Sequence, residues 1–280
     1  MNNPFLSLLE EGIEDRNTHL CVGLDPEVES LPEGIPRDPE GVFRFLSEII
    51  ESTWDLTCAY KPNLAFFGSL GAEGLNVLGR LIEKCRGKRA LILDAKFGDI
   101  GNTARHYARM AFDTLGADAV TVNPYLGIDS LGPFLSREDR FTFVLGITSN
   151  PGSSDIQKLR LHGGARVFEN FAIRLEKTFP GACWGWVAGA TQIEEMRVLR
   201  AASAERWLLI PGVGTQGGEL AGALRLSRDP SGVSKAVINA SRSILYASRG
   251  ADYAESAHRE ALRMVEETRA ALAGATDQPD

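Results

Sequence analysis

Three charged side chains lie close together in the segment LILDAKFGDIGNT, residues 91–103. The segment begins as a short apolar run, which is typical of a strand buried on both faces. Asp94 and Lys96 follow two residues apart, so on a strand they point to the same side. Asp99 comes after a glycine, where the chain can turn into a helix near Asn102. Charged residues are rarely buried unless paired, so the cluster indicates a built site, with a solvated group of ion pairs as the alternative.

The chemistry available to this cluster depends on a fourth charge, Lys61, in the segment CAYKPN. Alternating lysines and carboxylates keep one another ionised, because each opposite neighbour favours the charged form. Lys96 is then an ammonium suited to donating a proton, and Asp94 is a carboxylate placed where a substrate can meet it. A Schiff-base lysine needs a lowered pKa, which two adjacent acids oppose. Metal binding by Asp94 and Asp99 stays open, but the lysines would compete with the cation, and we predict no metal site.

A glycine-rich segment later in the chain suits an anion. The run PGVGTQGG covers residues 211–218, and its glycines let backbone amides approach a phosphate. Arg242 follows the last apolar segment and offers a planar, forked donor that matches phosphate. Such turns and arginines also occur as structural features, so this prediction depends on the fold. The residues predicted to contact substrate here are Pro211, Gln216, Gly217 and Arg242.

The elements that must position these residues recur regularly. Short apolar or β-branched segments lie at 19–25, 58–63, 91–96, 119–125, 141–149, 184–190, 207–214 and 235–242. Most are separated by stretches with helical spacing of apolar residues, at 41–54, 70–85, 103–115, 165–178, 191–202 and 253–272. Strands alternating with helices predict a parallel sheet. Eight such units in 280 residues fit an α/β fold of the (β/α)8 TIM barrel type better than an open sheet. A dinucleotide-binding G-x-G-x-x-G turn does not follow the first segment.

If the chain forms such a barrel, its polar residues lie together at one end, because such barrels build their sites from the carboxyl ends of the strands. The polar residues at or after those ends are Asp25, Lys61, Asn63, Asp94, Lys96, Asn123, Ser149, Asn150, Gln216 and Arg242. We expect residues 1–280 to form one barrel domain, with 275–280 as a disordered tail. Two longer loops are predicted at 31–40 and 150–164.

Composition excludes several classes of protein. The chain has 30 basic and 37 acidic residues, a net charge of −7, without a basic face for nucleic acid. Its apolar runs are shorter than the ~18 residues of a membrane span. The N-terminal segment meets acids too soon for a secretory signal, and the four cysteines and four histidines are scattered, without metal-ligand spacing. We therefore expect a cytoplasmic protein with reduced thiols that binds neither nucleic acid nor membrane.

Taken together, these motifs resemble the orotidine 5′-monophosphate decarboxylase family. The resemblance is carried by the Asp-x-Lys-x-x-Asp run at 94–99, by Lys61, by Asp25 in VGLDP and by the PGVGTQGG loop. It covers nearly the whole barrel, and the loop layout is most similar to the longer, type 2-like bacterial branch. A related branch, similar to 3-keto-gulonate phosphate decarboxylase and hexulose phosphate synthase, shares the run, but it uses magnesium and has an acid in place of Lys61. That enzyme is the alternative, and a catalytically inactive nucleotide-binding barrel is a third reading.

The resemblance implies cofactor-free decarboxylation of orotidine 5′-monophosphate to UMP and CO2, the last step of de novo pyrimidine biosynthesis. Lys96 would protonate carbon 6 as CO2 leaves. Asp94 would lie beside the departing carboxylate, while Lys61 would orient Asp94 and contact the ribose. Asp25 would hydrogen-bond the ribose.

The resemblance also implies contacts at the two ends of the substrate. Ser149 would read the amide edge of the pyrimidine, although Ser153 and Ser154 lie in the same loop. Gln216 and Arg242 would hold the phosphate.

The same resemblance implies a homodimer with shared active sites. In the family, the residues corresponding to Asp99 and Thr103 reach into the site of the partner subunit. Asp99 would then act away from its own chain's Lys96.

Overall fold

Parallel strands follow one another around a closed barrel, each paired with the next along the chain and the last with the first. The computed structural model describes residues 3–212 and 217–274, without the side chains of 217–219. Within these residues the strands are β1 (Leu20–Leu24), β2 (Ala59–Pro62), β3 (Ala90–Phe97), β4 (Ala119–Val122), β5 (Phe141–Ile147), β6 (Trp184–Ala188), β7 (Leu208–Pro211) and β8 (Ala236–Ala240). The (β/α)8 TIM barrel predicted from the sequence is confirmed. The predicted tail at 275–280 lies outside the described residues.

Helices cover the outside of the barrel. They are α1 (Pro4–Arg16), α2 (Pro39–Thr53), α3 (Leu64–Gly68), α4 (Gly71–Cys85), α5 (Gly101–Arg109), α6 (Gly132–Leu135), α7 (Ser153–Ile156), α8 (Val167–Thr178), α9 (Ile193–Ala202), α10 (Gly217–Leu226), α11 (Arg242–Leu245) and α12 (Tyr253–Gly274). Helix α5 runs on into a π-helical turn at Met110–Thr114. The predicted helical stretches correspond to α2, α4, α5 with this turn, α8, α9 and α12. In the described part of the chain, no helix is long and apolar enough to cross a membrane.

Alternation along the strands sorts the side chains into two buried layers. On β3, Ile92 faces the barrel interior, whereas Leu91 and Leu93 pack against the surrounding helices. Both faces of the strand are therefore apolar, as is typical of parallel sheets covered by helices. The inward positions just beyond Ile92 emerge at the carboxyl end of the barrel, where the charged residues lie.

Helix α1, which the sequence analysis does not predict, lies across the amino-terminal end of the barrel. The side-chain amide of Asn3 donates to the carbonyl oxygens of Glu138 and Arg140, both at 3.0 Å, just before β5 begins. The ring of Phe5 packs against Phe141 with centroids 5.0 Å apart. Phe5 belongs to the apolar cluster that fills the barrel interior. The helix therefore closes the end of the barrel opposite the charged residues.

The loop at 31–40 packs against the barrel rather than projecting from it. Leu31 and Ile35 are buried in the main apolar cluster. Asp38 begins α2 by accepting a hydrogen bond of 2.8 Å from the backbone N–H of Gly41. The loop thereby covers the start of α2.

The loop at 150–164 has an ordered scaffold at its base. It contains the short helix α7, and the side chain of Gln157 accepts from the backbone N–H of Thr148 at 2.9 Å. The ammonium of Lys158 donates to Gln192 at 2.6 Å and lies 3.1 Å from the carboxylate of Glu195. These contacts tie the loop to α9, beside the barrel mouth.

Candidate active site

Asp94 joins two lysines into one charge network at the carboxyl end of β2 and β3. The Nζ of Lys61 lies 2.8 Å from Oδ2 of Asp94, and the Nζ of Lys96 lies 2.6 Å from Oδ1. The side chains of Lys61 and Asp94 are only 5% and 9% exposed, whereas that of Lys96 is 45% exposed. The network therefore has a buried ion pair beneath one ammonium that is open to solvent.

Burial and charge act in opposite directions on the two buried groups. Burial would raise the pKa of Asp94, but the ammonium groups of Lys61 and Lys96 outweigh it and hold that pKa well below its usual range. Burial would lower the pKa of Lys61, but the carboxylates of Asp94 and Asp25 raise it above its ordinary value. Both members of the buried pair are therefore charged at neutral pH.

A bulge interrupts the pairing of β3 with β4. Leu93 is opposite Val120, and the next pair is Phe97 with Val122. More residues separate Leu93 from Phe97 on β3 than separate Val120 from Val122 on β4. Strand β3 therefore carries extra residues between these two pairs. The bulge includes Lys96.

Lys96 owes its position to this bulge rather than to simple alternation. Its φ of +50° lies in the left-handed region, which costs a residue with a side chain roughly 1–2 kcal/mol. The sequence predicts that Asp94 and Lys96 share a side because they are two residues apart on a regular strand. That reason is wrong, because the strand is not regular at Lys96. The two side chains meet, but an irregular backbone brings them together.

Thr121 on β4 also belongs to the site, although it is not among the residues predicted from the sequence. It is 1% exposed, and its hydroxyl donates to Oδ1 of Asp94 at 2.8 Å. The hydroxyl oxygen of Thr121 also accepts from the backbone N–H groups of Ala95 at 3.0 Å and Lys96 at 2.9 Å. The sequence does contain a sign of this role. Thr121 is a hydroxyl residue within the apolar segment 119–125, two residues after the inward-facing Ala119, so on a strand it also faces inward.

Two buried acceptors lie on β8 and just after β1, the strand that pairs with the Lys61 strand. Oδ1 of Asp25 and Oδ1 of Asn239 are buried, and neither has a hydrogen-bond partner within the described residues. Asn239 on β8 is opposite Cys21 on β1, and Asp25 follows β1. Buried acceptors are normally paired, so these two suit the hydroxyl or N–H donors of a bound ligand.

Asp99 and Thr103 lie apart from the charge network. The carboxylate of Asp99 accepts from the backbone N–H of Ile100 at 2.8 Å, and Thr103 is exposed on α5. Within the described chain, Asp99 is not ion-paired with Lys61 or Lys96, whose partner in each case is Asp94. Among the same residues, no group of three or more His, Cys, Asp or Glu side chains could hold a metal ion.

Ser149 faces the strand ends from which the glycine-rich loop begins. A Cβ atom at Gly189 would lie 2.9 Å from the backbone nitrogen of Ser149, so glycine permits this close approach. A Cβ at Gly212, which has a φ of +79°, would lie 3.9 Å from the Ser149 hydroxyl. Ser149 therefore lies beside the point where the chain leaves Pro211.

The remaining residues predicted to hold phosphate are only partly described. Pro211 ends β7, Gly217 begins α10, and Arg242 is exposed at the start of α11. Gln216 lies outside the described residues. Ser241 packs directly on Gly23 of β1, which brings the Arg242 segment alongside the segment that carries Asp25.

A cavity of about 470 Å³ lies beside the charge network rather than over it. Its lining comes from the ends of β4 and β5, from the 150–164 loop and from α8, and includes Asn123, Leu145, Gln157 and Phe171. None of the three network residues lines it. We assign the chemistry to the network, because the perturbed charges and the donor geometry are found there.

Comparison with known proteins gives one consistent result. A family model described as "Orotidine 5'-phosphate decarboxylase / HUMPS family" matches residues 18–257. A protein of Roseiflexus castenholzii named orotidine 5′-phosphate decarboxylase is 44% identical over 277 residues, which cover 96% of this chain and 98% of that protein. One of the same name from Thermomicrobium roseum is 44% identical, with 94% of each chain covered. The solved structure of Leishmania donovani OMP decarboxylase is 36% identical, has a TM-score of 0.82 and covers 96% of this chain and 98% of that one.

Proposed function

Because the chain belongs to the orotidine 5′-phosphate decarboxylase / HUMPS family and is an orotidine-5′-phosphate decarboxylase, a carboxy-lyase of UMP biosynthesis, we propose that it works without a cofactor through the Lys61–Asp94–Lys96 network. Its nearly full-length match to bacterial relatives is consistent with the longer, type 2-like branch. The observation that carries the proposal is a buried carboxylate held between two ammonium groups, one of them open to the barrel mouth.

Lys96 is the proton donor of the proposed reaction. The bond between carbon 6 of the pyrimidine and its carboxylate breaks, CO2 leaves, and the electron pair stays on carbon 6. The Lys96 ammonium gives a proton to that carbon, which yields UMP, and the neutral amine then regains a proton from solvent. The exposed end of Lys96 and its 2.6 Å ion pair with Asp94 support this role, because the pair orients the ammonium while leaving it accessible to substrate.

Asp94 acts on the departing carboxylate, and Lys61 keeps Asp94 in place. Two carboxylates about 4 Å apart repel by roughly 4 kcal/mol at an effective dielectric constant of about 20. The two lysines offset part of this repulsion, and enzymes lower barriers by roughly 8–23 kcal/mol. Stabilisation of the developing carbanion by the adjacent ammonium is therefore the larger effect, and ground-state repulsion is secondary.

The substrate extends from this network across the barrel mouth. We propose that Asp25, whose buried oxygen lacks a partner within the described residues, binds the ribose, and that Ser149 reads the pyrimidine edge. We propose that Pro211, Gln216, Gly217 and Arg242 hold the phosphate, because many barrels of this fold bind phosphate after their seventh and eighth strands. Arg242 supplies the charge, and the glycine-rich loop supplies backbone donors.

A homodimer with shared sites completes the proposal. Asp99 and Thr103 stand outside the network of their own chain, where they are free to serve a second one. Ile100, Tyr125 and Leu126 beside them are 58%, 71% and 45% exposed, which is unusual for large apolar side chains on two adjacent loops. A second copy of the chain would cover them. We further propose that residues 1–280 act as one barrel domain in the cytoplasm.

The first test separates this function from that of a magnesium-dependent phosphosugar enzyme. The purified chain is expected to consume orotidine 5′-monophosphate, followed by its absorbance, at the same rate before and after treatment with EDTA. Lys61 favours this result, because a cation at Asp94 would have to displace a bonded ammonium. A chain without turnover would contradict the function, and activity that EDTA removes and magnesium restores would favour the alternative.

The second test concerns the shared sites. Lys96→Ala and Asp99→Ala are each expected to be poorly active alone, because every site then lacks one of the two residues. After the two proteins are mixed and allowed to exchange subunits, about half of the dimers contain one of each, and one site in each such dimer is intact. Activity should rise to about a quarter of wild type.

Mixing either variant with itself provides the control. A mixture no more active than the sum of its parts, in dimers shown to have exchanged, would place Asp99 in the site of its own chain.

A further inference from the structure

We propose that Thr121 is a positioning residue, which orients the Asp94 carboxylate and fixes the backbone of the proton donor Lys96. The inference rests on the proposed function of the network, and it adds a residue on a different strand. Thr121 belongs to β4, whereas Asp94 and Lys96 belong to β3. It has no charge and would not contact the reacting atoms, so it acts through its two neighbours.

The hydroxyl of Thr121 uses its full bonding capacity within the site. A hydroxyl offers one donor and two acceptor positions. The donor reaches Oδ1 of Asp94 at 2.8 Å, and the acceptors take the backbone N–H groups of Ala95 and Lys96 at 3.0 and 2.9 Å. No further bond is available to it, so the residue links the side chain of Asp94 to the backbone of Lys96.

These hydrogen bonds compensate for the backbone pairing between β3 and β4 that the bulge interrupts. In a regular parallel pair, backbone carbonyls of the neighbouring strand accept from the N–H groups of β3. Between Leu93 and Phe97 that register is broken, and buried N–H groups left without an acceptor are costly. The Thr121 hydroxyl accepts from both Ala95 and Lys96, whose consecutive N–H groups would point to opposite neighbouring strands in a regular ladder.

The bulge matters because of the conformation that it imposes on Lys96. A φ of +50° is unfavourable for lysine, and it persists only where the surroundings hold it. The accepting hydroxyl is bonded to the N–H of that same residue. Without it, we expect Lys96 to relax toward an ordinary strand conformation, which would move its ammonium away from Asp94 and from carbon 6.

Three substitutions at Thr121 and one control test the proposal. Thr121→Val keeps the branched shape and removes the hydroxyl, and Thr121→Ser keeps the hydroxyl and removes a methyl group. Thr142→Val is the matched control: Thr142 is a 1% exposed threonine on β5, and its hydroxyl has no partner within the described residues. Thr121→Cys replaces the hydroxyl with a thiol, a weaker donor and acceptor of similar size. It takes the place of the valine variant if that variant does not fold.

The expected result is a loss in kcat rather than in KM. Thr121→Val should lower kcat about 10- to 100-fold, the loss expected when a hydrogen bond to a charged group is removed. KM should change less than about threefold, because the residue does not touch substrate. Thr121→Ser and Thr142→Val should both retain kcat within about threefold of wild type, and Thr121→Cys should fall between serine and valine.

A second readout isolates the proton donor. In D2O the enzyme should exchange the hydrogen at carbon 6 of UMP for deuterium, a reaction that needs Lys96 but no carboxylate on the substrate. This exchange, followed by NMR, should slow in Thr121→Val to an extent comparable with kcat, and it should be restored in Thr121→Ser.

The outcomes separate this inference from the proposed function. If wild type does not decarboxylate orotidine 5′-monophosphate, the function fails. If wild type does so and Thr121→Val, or Thr121→Cys in its place, keeps wild-type kcat and exchange, only the role of Thr121 fails. Equal losses in the valine and serine variants would likewise overturn it, because the methyl group and not the hydroxyl would then matter.

Discussion

Lys96→Ala is expected to lower kcat by at least about 10³-fold, within the range that general acid–base groups contribute to catalysis. Removal of the ammonium leaves carbon 6 without a proton donor and without the positive charge that stabilises the carbanion. KM for orotidine 5′-monophosphate should change far less, because the proposed phosphate and ribose contacts involve other residues. Steady-state kinetics of the nucleotide, followed by absorbance, measure both quantities.

The fold should survive this substitution. Lys96 is 45% exposed, and its loss leaves Asp94 paired with Lys61, so the thermal unfolding temperature should remain close to that of wild type. Lys177→Ala, which removes an exposed lysine from α8, is the control and should retain full activity. Turnover by Lys96→Ala at a rate near wild type would reject Lys96 as the proton donor.

Asp94→Asn is expected to reduce both activity and stability. Removal of one partner from a buried ion pair costs about 3–5 kcal/mol, because the other charge is left buried without compensation. Here the group left behind is Lys61, whose side chain is 5% exposed and which keeps Asp25 as a more weakly acting carboxylate nearby. Urea unfolding should therefore show a clear fall in the free energy of unfolding, and kcat should fall with it, because the carboxylate beside the reacting group is lost.

The pH dependence of stability identifies the cause. In wild type, Asp94 has a lowered pKa, so its contribution is present above about pH 3.9, the unfolded value, and is lost as the pH falls through the lower folded value. Lys61 has a raised pKa, so its contribution is present below about pH 10.4 and is lost as the pH rises through the folded value. Both contributions are complete between these limits.

In Asp94→Asn the sign for Lys61 reverses. We expect burial, the largest influence on Lys61, to outweigh the remaining attraction of Asp25 and to lower the pKa of Lys61, so that the unfolded chain binds more protons and stability rises as the pH approaches 10. Wild type should not show this rise. Glu83→Gln, which removes the exposed partner of Arg86, should leave stability nearly unchanged and provides the control. A variant as stable as wild type, with the same pH dependence, would show that the buried pair is not essential.

The barrel could be predicted from the sequence because each of its strands, and most of its helices, are marked by a pattern of nearby residues. Each strand is a short apolar run, most of the covering helices have apolar residues at helical spacing, and the order of the units fixes the topology. Helix α1 could not be predicted in this way. Its inward residues, Phe5 and Leu9, gain their burial from the interior of a barrel that closes only after every strand has formed.

The site was predictable in composition but not in geometry. Lys61, Asp94 and Lys96 can be identified by residue type and position, and the structure brings all three together. The bulge in β3 depends on pairing with β4, a contact between distant segments that no local pattern encodes. For the same reason Thr121 reads in sequence as an ordinary strand residue, although in the fold it meets both Asp94 and Lys96.

The closed amino-terminal end of the barrel bears on where the nucleotide can enter and where UMP can leave. Side chains fill the barrel interior and α1 covers its amino-terminal end, so we expect the nucleotide to enter, and UMP to leave, at the carboxyl end. Substrate and product would then share one entrance, and UMP would have to leave before the next nucleotide binds. The 150–164 loop lies beside that entrance, tied to α9 by Lys158, and we expect its movement to influence the rate at which UMP leaves.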